Sequence, residues 1–159
     1  MLLAHGIQAV ADVRRFPASR RHPHFSREQL EPFLAGHSVA YRWLPALGGR
    51  RAPRSDSRNT GWRVAAFRGY ADYMETSEFS AALAELLSVA AERRTAIMCA
   101  ESLWWQCHRR LIADAVLAVG YEVQHIESAS RASPHRLIAP ARLHDGHLTY
   151  VAEEPDLDL

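Results

Sequence analysis

The sequence predicts a single three-layer α/β domain in which a mostly parallel sheet is flanked by helices and followed by a C-terminal β-hairpin. Short β-rich runs alternate with amphipathic helical runs, which is the pattern of a parallel sheet covered by helices. The chain has 159 residues, 48% of them apolar, enough for one core. We therefore expect one domain over residues 1–152 and an acidic tail over residues 153–159.

The predicted elements follow one another without an internal repeat. In chain order they are strands over residues 8–13, 39–44, 95–99 and 121–126, helices over residues 26–35, 67–74, 76–92 and 107–119, and a hairpin with strands over residues 136–143 and 147–151. No apolar stretch is long enough to cross a bilayer and no secretion signal follows the first residue. With only two cysteines, a cytoplasmic protein without membrane contact is expected.

The first strand, residues 8–13, is an apolar run bounded by polar loops. After it, Ser26 and Gln29 have the spacing of a capping box, which predicts that the first helix begins at Ser26. Gly36 follows the helical run and is expected to end it. The next β-rich run, residues 39–44, forms the second strand.

A long loop and two helices separate the second and third strands. Residues 45–63 mix Gly, Pro, Ser, Asn and Arg without periodicity, and so long a loop in a compact domain is usually functional or disordered. Residues 67–74 predict a short helix. Thr76 is the expected N-cap of a longer helix that ends at Glu92. The apolar stripe of that helix consists of Phe79, Leu83, Leu86 and Leu87.

The second half of the chain predicts a βαβ unit and a hairpin. Residues 95–99 are a buried strand, residues 107–119 are a helix that stops at a glycine, and residues 121–126 are the strand that completes the unit. Asp145 and Gly146 form a favoured two-residue hairpin turn. The chain is therefore expected to finish with a small antiparallel ribbon.

The net charge of +1 hides a difference between the two halves of the chain. Residues 1–68 carry twelve arginines and four acidic residues, whereas residues 69–159 carry seven arginines and fourteen acidic residues. A basic half of this kind favours an anionic partner, either a small anionic ligand or nucleic acid. Basic loops that are solvated or paired with the acidic half explain the same split equally well.

The segment of residues 99–110, here called the cysteine loop, is the place where chemistry is most expected. Cys99 follows a predicted parallel strand, at the edge where open α/β sheets bind ligands. The next helix is expected to begin near Cys107, so its free N–H groups and its dipole favour negative charge in the loop. A thiol in that field can ionise below the free-cysteine pKa of about 8.5 and become a nucleophile. The alternative is that Cys99 is a small buried hydrophobe.

Other residues of the cysteine loop complete a predicted catalytic set. Cys107 can form a disulfide with an oxidised Cys99, and Glu101 or His108 can transfer a proton. Arg109 can hold an anionic group. Ordinary structural roles are available to each of them, such as a core position for the cysteine. The predicted catalytic residues are Cys99, Glu101, Cys107, His108 and Arg109.

The same loop contains ligand-type atoms for a metal ion, in two cysteines, one glutamate and one histidine. However, Cys107 and His108 are adjacent on a predicted helix, where neighbouring side chains project about 100° apart. No paired C-x-x-C or H-x-x-H spacing supports a zinc site. We therefore predict no metal and no cofactor.

Several blocks in fixed order resemble the domain of unknown function 488 family over nearly the entire chain. The blocks are Asp12-Val13-Arg14 with Phe16-Pro17 and Ser19-Arg20-Arg21, Leu47-Gly48-Gly49, Phe67-Arg68-Gly69-Tyr70-Ala71-Asp72-Tyr73-Met74, and Met98-Cys99-Ala100-Glu101 with Cys107-His108-Arg109. The resemblance implies a small bacterial or archaeal cytoplasmic protein and no established reaction. It also implies that the usual first strand is missing, since this chain begins within the helix that follows that strand.

A ligand-binding set is predicted from the same blocks, on the expectation that basic and tyrosine side chains face Cys99 across a cleft. The set consists of Asp12, Arg14, Arg20, Arg21, Arg68, Tyr70 and Tyr73. The alternative function is a nucleic-acid-binding or regulatory module without catalysis. Its arginine-rich loops, residues 14–27 and 50–68, would contact phosphates, and Trp43, Trp62 or Trp104 would stack on bases.

A more remote resemblance is to rhodanese-like domains, in which an Asp-Val-Arg strand end precedes a strand, a cysteine loop, a helix and a Gly-Tyr-Glu-Val strand. Residues 10–14 and 97–126 follow that order. The loop departs from it, because Arg109 lies farther from Cys99 than the anion-binding arginine does in rhodanese-like loops. The resemblance therefore implies an architecture and not persulfide or phosphoryl chemistry.

Overall fold

The fold is that of a computed structural model, which describes residues 1–18 and 20–152. The predicted acidic tail and Ser19 lie outside the described residues. The strands are β1 (Ala9–Asp12), β2 (Ala40–Trp43), β3 (Thr95–Met98), β4 (Gln124–Ile126), β5 (Ala132–Pro134), β6 (Arg142–His144) and β7 (His147–Thr149). The α-helices are α1 (Arg27–Ala35), α2 (Ala65–Met74), α3 (Ser77–Glu92) and α4 (Arg109–Ala118). In this part of the chain no helix has both the length and the apolar character needed to cross a bilayer.

The parallel sheet has the order β2-β1-β3, with β1 in the centre. Its two faces are covered by different helices because successive side chains of a strand point to opposite sides. Val10 packs with Leu30 and Leu34 of α1, whereas Ala11 and Val13 pack in the larger core formed with α2, α3 and α4. The predicted α/β fold with helices on both faces of a parallel sheet is confirmed.

The predicted helix boundaries are closer to the structure than the predicted capping interactions are. The Thr76 side chain accepts a hydrogen bond from the backbone N–H of Phe79, so the predicted N-cap of α3 is confirmed. Ser26 occupies the N-cap position of α1, but its side chain makes no capping hydrogen bond, so the capping-box prediction is wrong. Gly36 does follow α1, in a right-handed conformation that other residues also adopt.

The prediction that residues 121–126 complete a βαβ unit is wrong. β4 pairs antiparallel with β5 in a separate two-stranded ribbon and has no partner in the parallel sheet. A strand of a parallel sheet is covered by helices on its two faces and therefore consists mainly of apolar residues. Gln124 is exposed and His125 only half-buried, so this run lacks the apolar surface for such a position.

The C-terminal hairpin is confirmed, with strands shorter than predicted. β6 and β7 pair antiparallel across a turn in which Asp145 and Gly146 both have positive φ, of 49° and 78°. Positive φ at both central residues is the geometry of a type I′ turn, which the sequence Asp-Gly favours. Residues 136–141 are not part of the strand.

Among the groups that hold the long loop of residues 45–63 to α2 is the buried carboxylate of Asp72. Asp72 accepts hydrogen bonds from the backbone N–H of Arg54, the hydroxyl of Ser57 and the side-chain amide of Asn59, at 2.8, 2.5 and 2.9 Å. Burial raises the pKa of Asp72, but these hydrogen bonds lower it by more. The loop therefore has an ordered path in spite of its lack of periodicity.

Candidate thiol site at the edge of the sheet

The cysteine loop connects the carboxyl end of β3 to the start of α4. Cys99 comes directly after β3, and a short 3-10 turn, Trp104–Gln106, leads to Cys107. Cys107 is not part of the helix, contrary to the sequence prediction, because α4 begins at Arg109 with His108 as its N-cap. The backbone of Cys107 is extended, with φ −126° and ψ 152°. Helical spacing therefore does not separate its side chain from that of His108.

Four side chains meet in what we call the thiol cluster: Cys99, Glu101, Cys107 and His108. The Cys99 thiol donates a hydrogen bond to Glu101 Oε2 at 2.8 Å, and Cys107 Sγ lies 3.5 Å from the same oxygen. His108 Nδ1 lies 3.5 Å from Cys107 Sγ and 3.9 Å from Cys99 Sγ. The structure thus brings together four of the five predicted catalytic side chains.

The two thiols differ in exposure and in charge. Cys107 is 2% exposed, whereas Cys99 is half-buried. The pKa of Cys107 is lowered, first by its hydrogen bond with Cys99 and then by His108 and the backbone N–H of Arg109 at the start of α4. The pKa of Cys99 is raised, first by its hydrogen bond with Cys107 and then by burial and by the negative charge of Cys107. The sulfur that carries charge at the helix terminus is therefore that of Cys107, whereas the sequence pointed to Cys99.

Arg109, the fifth predicted catalytic residue, hydrogen-bonds to the backbone of the cysteine loop. Its terminal guanidinium nitrogen donates to the backbone carbonyls of Glu101 and Ser102, at 2.5 and 3.3 Å. Its Nε is buried and has no hydrogen-bond partner among the described residues.

Two members of the predicted ligand-binding set, Asp12 and Arg14, lie on the opposite face of the sheet. Asp12 is fully buried and accepts hydrogen bonds from the Arg14 guanidinium and from the hydroxyl of Tyr41. Asp12 has the strand parity of Val10 and therefore faces α1, whereas Cys99 packs against the core on the other side. The structure does not bring this pair to the thiols.

Tyr70 and Tyr73 hold the segment that precedes Gly48 against α2. The Tyr70 hydroxyl donates to the carbonyl of Leu47 at 2.7 Å, and the Tyr73 hydroxyl donates to the carbonyl of Ala46 at 2.8 Å. The ring centroid of Tyr70 also lies 5.2 Å from that of His108. Tyr70 therefore touches the thiol cluster through its ring while its hydroxyl is occupied.

The remaining predicted ligand-binding residues are three arginines that lie away from the thiol cluster or on the surface: Arg20, Arg21 and Arg68. The Arg68 guanidinium donates two hydrogen bonds to the carbonyl of Trp62, at 3.0 and 2.8 Å. Arg20 and Arg21 are exposed, in the segment that leads to a 3-10 turn at Pro23–Phe25. In the described part of the chain, none of these three side chains hydrogen-bonds to a member of the thiol cluster.

A network of histidines next to the cysteine loop was missed by the sequence analysis. Trp104 stacks on His125 with ring centroids 3.6 Å apart, and His125 shares a 2.9 Å hydrogen bond with His135. His135 in turn bonds to Asp114, which is fully buried and also accepts from Tyr150. Burial lowers the pKa of His125 to about 4, so the ring is neutral at pH 7. No sequence pattern signals these contacts, because they join α4 to two segments of the C-terminal region.

The family described as "Domain of unknown function DUF488" matches residues 1–116. The chain belongs to the DUF488 family. Comparisons with curated proteins and with solved structures found no significant match. The family resemblance noted in the sequence is thereby confirmed.

The DUF488 match ends inside α4, so it covers the whole parallel sheet and the thiol cluster and omits β4 to β7. Three glycines of the family-like blocks lie where a side chain would collide with a neighbour. A Cβ on Gly48 would come 2.8 Å from Arg15, one on Gly49 would come 2.8 Å from His108, and one on Gly69 would come 2.2 Å from the carbonyl of Arg51. The block that contains Gly49 therefore packs closely against the thiol cluster.

Replacing Gly49 with alanine is expected to displace the His108 ring from the sulfurs. The new Cβ would lie 2.8 Å from Nδ1 and 3.2 Å from Cγ of His108, and a side-chain ring gives way more readily than backbone. We expect a changed imidazole signal of His108 in NMR spectra and a loss of stability of about 1 kcal/mol. The control is Gly36→Ala, whose Cβ has ordinary contacts at 3.5 Å or more. An unchanged His108 signal in Gly49→Ala would contradict the close contact.

Proposed function

We propose that this chain binds a small anionic ligand at the cysteine loop and reacts with it through the thiols of Cys99 and Cys107. The supporting observation is the convergence of the two sulfurs, which lie within 4.8 Å of each other beside one carboxylate oxygen of Glu101. A disulfide requires a distance of about 2 Å between the sulfurs. The pair therefore needs to close by less than about 3 Å to form one.

Cys99 reacts first, because it is half-buried and Cys107 is almost inaccessible. With a ligand disulfide, the Cys99 sulfur bonds to one ligand sulfur and its proton passes to the Cys107 thiolate, whose sulfur lies within 4.8 Å. The other ligand sulfur leaves with the bonding electrons and takes up a proton. Cys107 then attacks the Cys99 sulfur and releases the second ligand thiol. Two protein thiols are thus oxidised to one disulfide, and the ligand disulfide is reduced to two thiols.

Recognition of an anion is attributed to the start of α4 and to Arg109. The N-terminus of a helix favours negative charge, and the buried Nε of Arg109 has no partner among the described residues. An anionic group beside the cysteine loop would satisfy that donor. A ligand that carries carboxylates close to its reactive sulfur would supply both the negative charge for this anion site and the sulfur that reacts with Cys99.

The nucleic-acid alternative has less support from the contacts of its residues. Trp62 is buried, and the indole N–H of Trp43 donates to the carbonyl of Arg14. Two arginines of the arginine-rich loops also have partners, since Arg14 pairs with Asp12 and Arg54 pairs with Glu75. These side chains have partners within the fold, whereas the sulfurs form a cluster with reactive chemistry. We therefore retain the thiol site as the proposed function.

Oxidised glutathione, an anionic disulfide, tests the proposal. Mass spectrometry of the reduced wild-type chain should show an intramolecular disulfide between Cys99 and Cys107. Cys107→Ser should stop at a glutathione adduct on Cys99, and Cys99→Ser should form no adduct because Cys107 is buried. Glutathione disulfide esterified only at its two glycine carboxylates has no net charge at pH 7. It is the matched neutral probe and should react about tenfold more slowly.

Two results would contradict parts of this proposal separately. If the wild type and Cys107→Ser ended at the same stable adduct, Cys107 would not act as the second thiol. If the esterified probe reacted as fast as the anionic one, the site would have no preference for anions.

A further inference from the structure

Three side chains of the thiol cluster are spaced as ligands of one metal ion. The Sγ atoms of Cys99 and Cys107 and Nδ1 of His108 all lie within 4.8 Å of one another. His108 Nδ1 is 3.5 Å from one sulfur and 3.9 Å from the other. With bonds of about 2.3 Å to sulfur and about 2.0 Å to nitrogen, a tetrahedral zinc ion separates such ligands by about 3.5 Å. The sulfur–nitrogen distances are therefore close to those that a zinc ion requires.

The backbone removes the main sequence argument against a metal site. Cys107 and His108 are adjacent in sequence, but Cys107 is extended and His108 is the N-cap of α4, so helical geometry does not force their side chains apart. The absence of a side chain at Gly49 leaves room for the His108 ring, and the Tyr70 ring packs at 5.2 Å on it. His108 Nε2 is buried without a hydrogen-bond partner in the described part of the chain. Packing, rather than an outer hydrogen bond, thus orients the ring.

The chemistry of the donors selects the kind of ion. Two thiolates and one imidazole favour a thiophilic divalent cation such as zinc over magnesium or calcium. Cys99, Cys107 and His108 leave a fourth tetrahedral position open, as in zinc sites that bind water or a ligand. Glu101 Oε2, at 2.8 and 3.5 Å from the two sulfurs, lies beside the site and can accept a hydrogen bond from a bound water.

We propose that the reduced chain binds one zinc-like divalent cation through Cys99 Sγ, Cys107 Sγ and His108 Nδ1, with the fourth position open to water or an anionic ligand. Binding releases the two thiol protons to solvent. The inference uses the sulfurs of the proposed function and does not require them to react. A disulfide between the same sulfurs excludes the ion, because both thiolates are then consumed.

Cobalt(II) titration of the full chain, reduced with a phosphine and free of other metals, tests the proposal. We expect one cobalt ion per chain, with a sulfur-to-cobalt absorption band in the near ultraviolet and visible bands of a tetrahedral ion, all removed by added zinc. Cys99→Ser and Cys107→Ser should each halve the ultraviolet band and weaken binding by at least about 100-fold. His108→Ala should keep the ultraviolet band, shift the visible bands and weaken binding.

His24→Ala, which removes an exposed histidine far along the chain from the cluster, is the matched control and should bind like the wild type. Circular dichroism melts identify any variant that fails to fold. If Cys107→Ser does not fold, Cys99→Ser still provides the test, because Cys99 is only half-buried.

Absence of the ultraviolet band in the folded wild type, or an unchanged band in Cys99→Ser, would overturn the proposal. If cobalt does not bind but oxidised glutathione still forms the disulfide, only the metal site is rejected. Cobalt binding without disulfide formation rejects only the thiol reaction.

Discussion

Asp12→Ala is expected to destabilise the fold by about 3 to 5 kcal/mol, because it leaves the buried Arg14 guanidinium without its counter-charge. Asp12 is fully buried and Arg14 is 7% exposed. Three hydrogen bonds run from the Arg14 side chain to the two Asp12 oxygens, at 2.8, 3.1 and 2.5 Å, and they raise the pKa of the guanidinium. Urea unfolding followed by circular dichroism measures the loss.

A double replacement separates the two contributions to this loss of stability, which are the unpaired charge of Arg14 and the missing carboxylate of Asp12. Asp12→Ala with Arg14→Met removes both charges, and we expect it to recover more than half of the stability lost in Asp12→Ala. Tyr41→Phe, which removes one hydrogen bond to Asp12, should cost about 1 kcal/mol. If Asp12→Ala kept wild-type stability and lost its reaction with oxidised glutathione, Asp12 would be a ligand-binding residue, as the sequence predicts.

Gly69→Ala is expected to destabilise the fold by about 3 kcal/mol, although alanine is the better helix former by about 1 kcal/mol. A Cβ at this position of α2 would lie 2.2 Å from the carbonyl oxygen of Arg51 and 2.6 Å from the carbonyl carbon of Ala52. Both atoms are backbone, so α2 must move away from the loop that it holds. Thermal unfolding compared with the wild type measures the effect.

The consequence of that movement should reach the thiol cluster. Tyr70 follows Gly69 directly and packs on the His108 ring, so we expect Gly69→Ala to weaken cobalt binding as well. Gly36→Ala again provides the control, with an expected change within about 0.5 kcal/mol. Wild-type stability in Gly69→Ala would show that the helix and the loop are not in close contact.

The two proposals describe two states of the same sulfurs. A zinc-like ion holds Cys99 and Cys107 as thiolates in the reduced chain, and a disulfide excludes the ion. An oxidising anionic ligand would therefore release metal as it reacts, which couples the redox state of the pair to metal occupancy. Measurement of free zinc during oxidation of the loaded chain would follow this coupling directly.

Much of the local structure could be predicted from neighbouring residues. The Thr76 N-cap and the turn at Asp145 and Gly146 depend on short-range hydrogen bonds and backbone conformations, and both are present. The strand of residues 121–126 was predicted in the wrong sheet, because a β-rich run does not specify its partner. Its exposed Gln124 is suited to the antiparallel ribbon that it forms with β5.

The sequence by itself determined the parallel α/β fold, the family and the position of the cysteine loop at the end of β3, since periodicity and local motifs carry that information. The tertiary structure decided which side chains meet there. Strand alternation and helix packing place Asp12 and Arg14 on the face opposite Cys99, while Gly49 and Tyr70 position His108 beside the sulfurs. The physical reason is that charge, burial and ligand geometry at a site depend on contacts between segments that are distant in sequence.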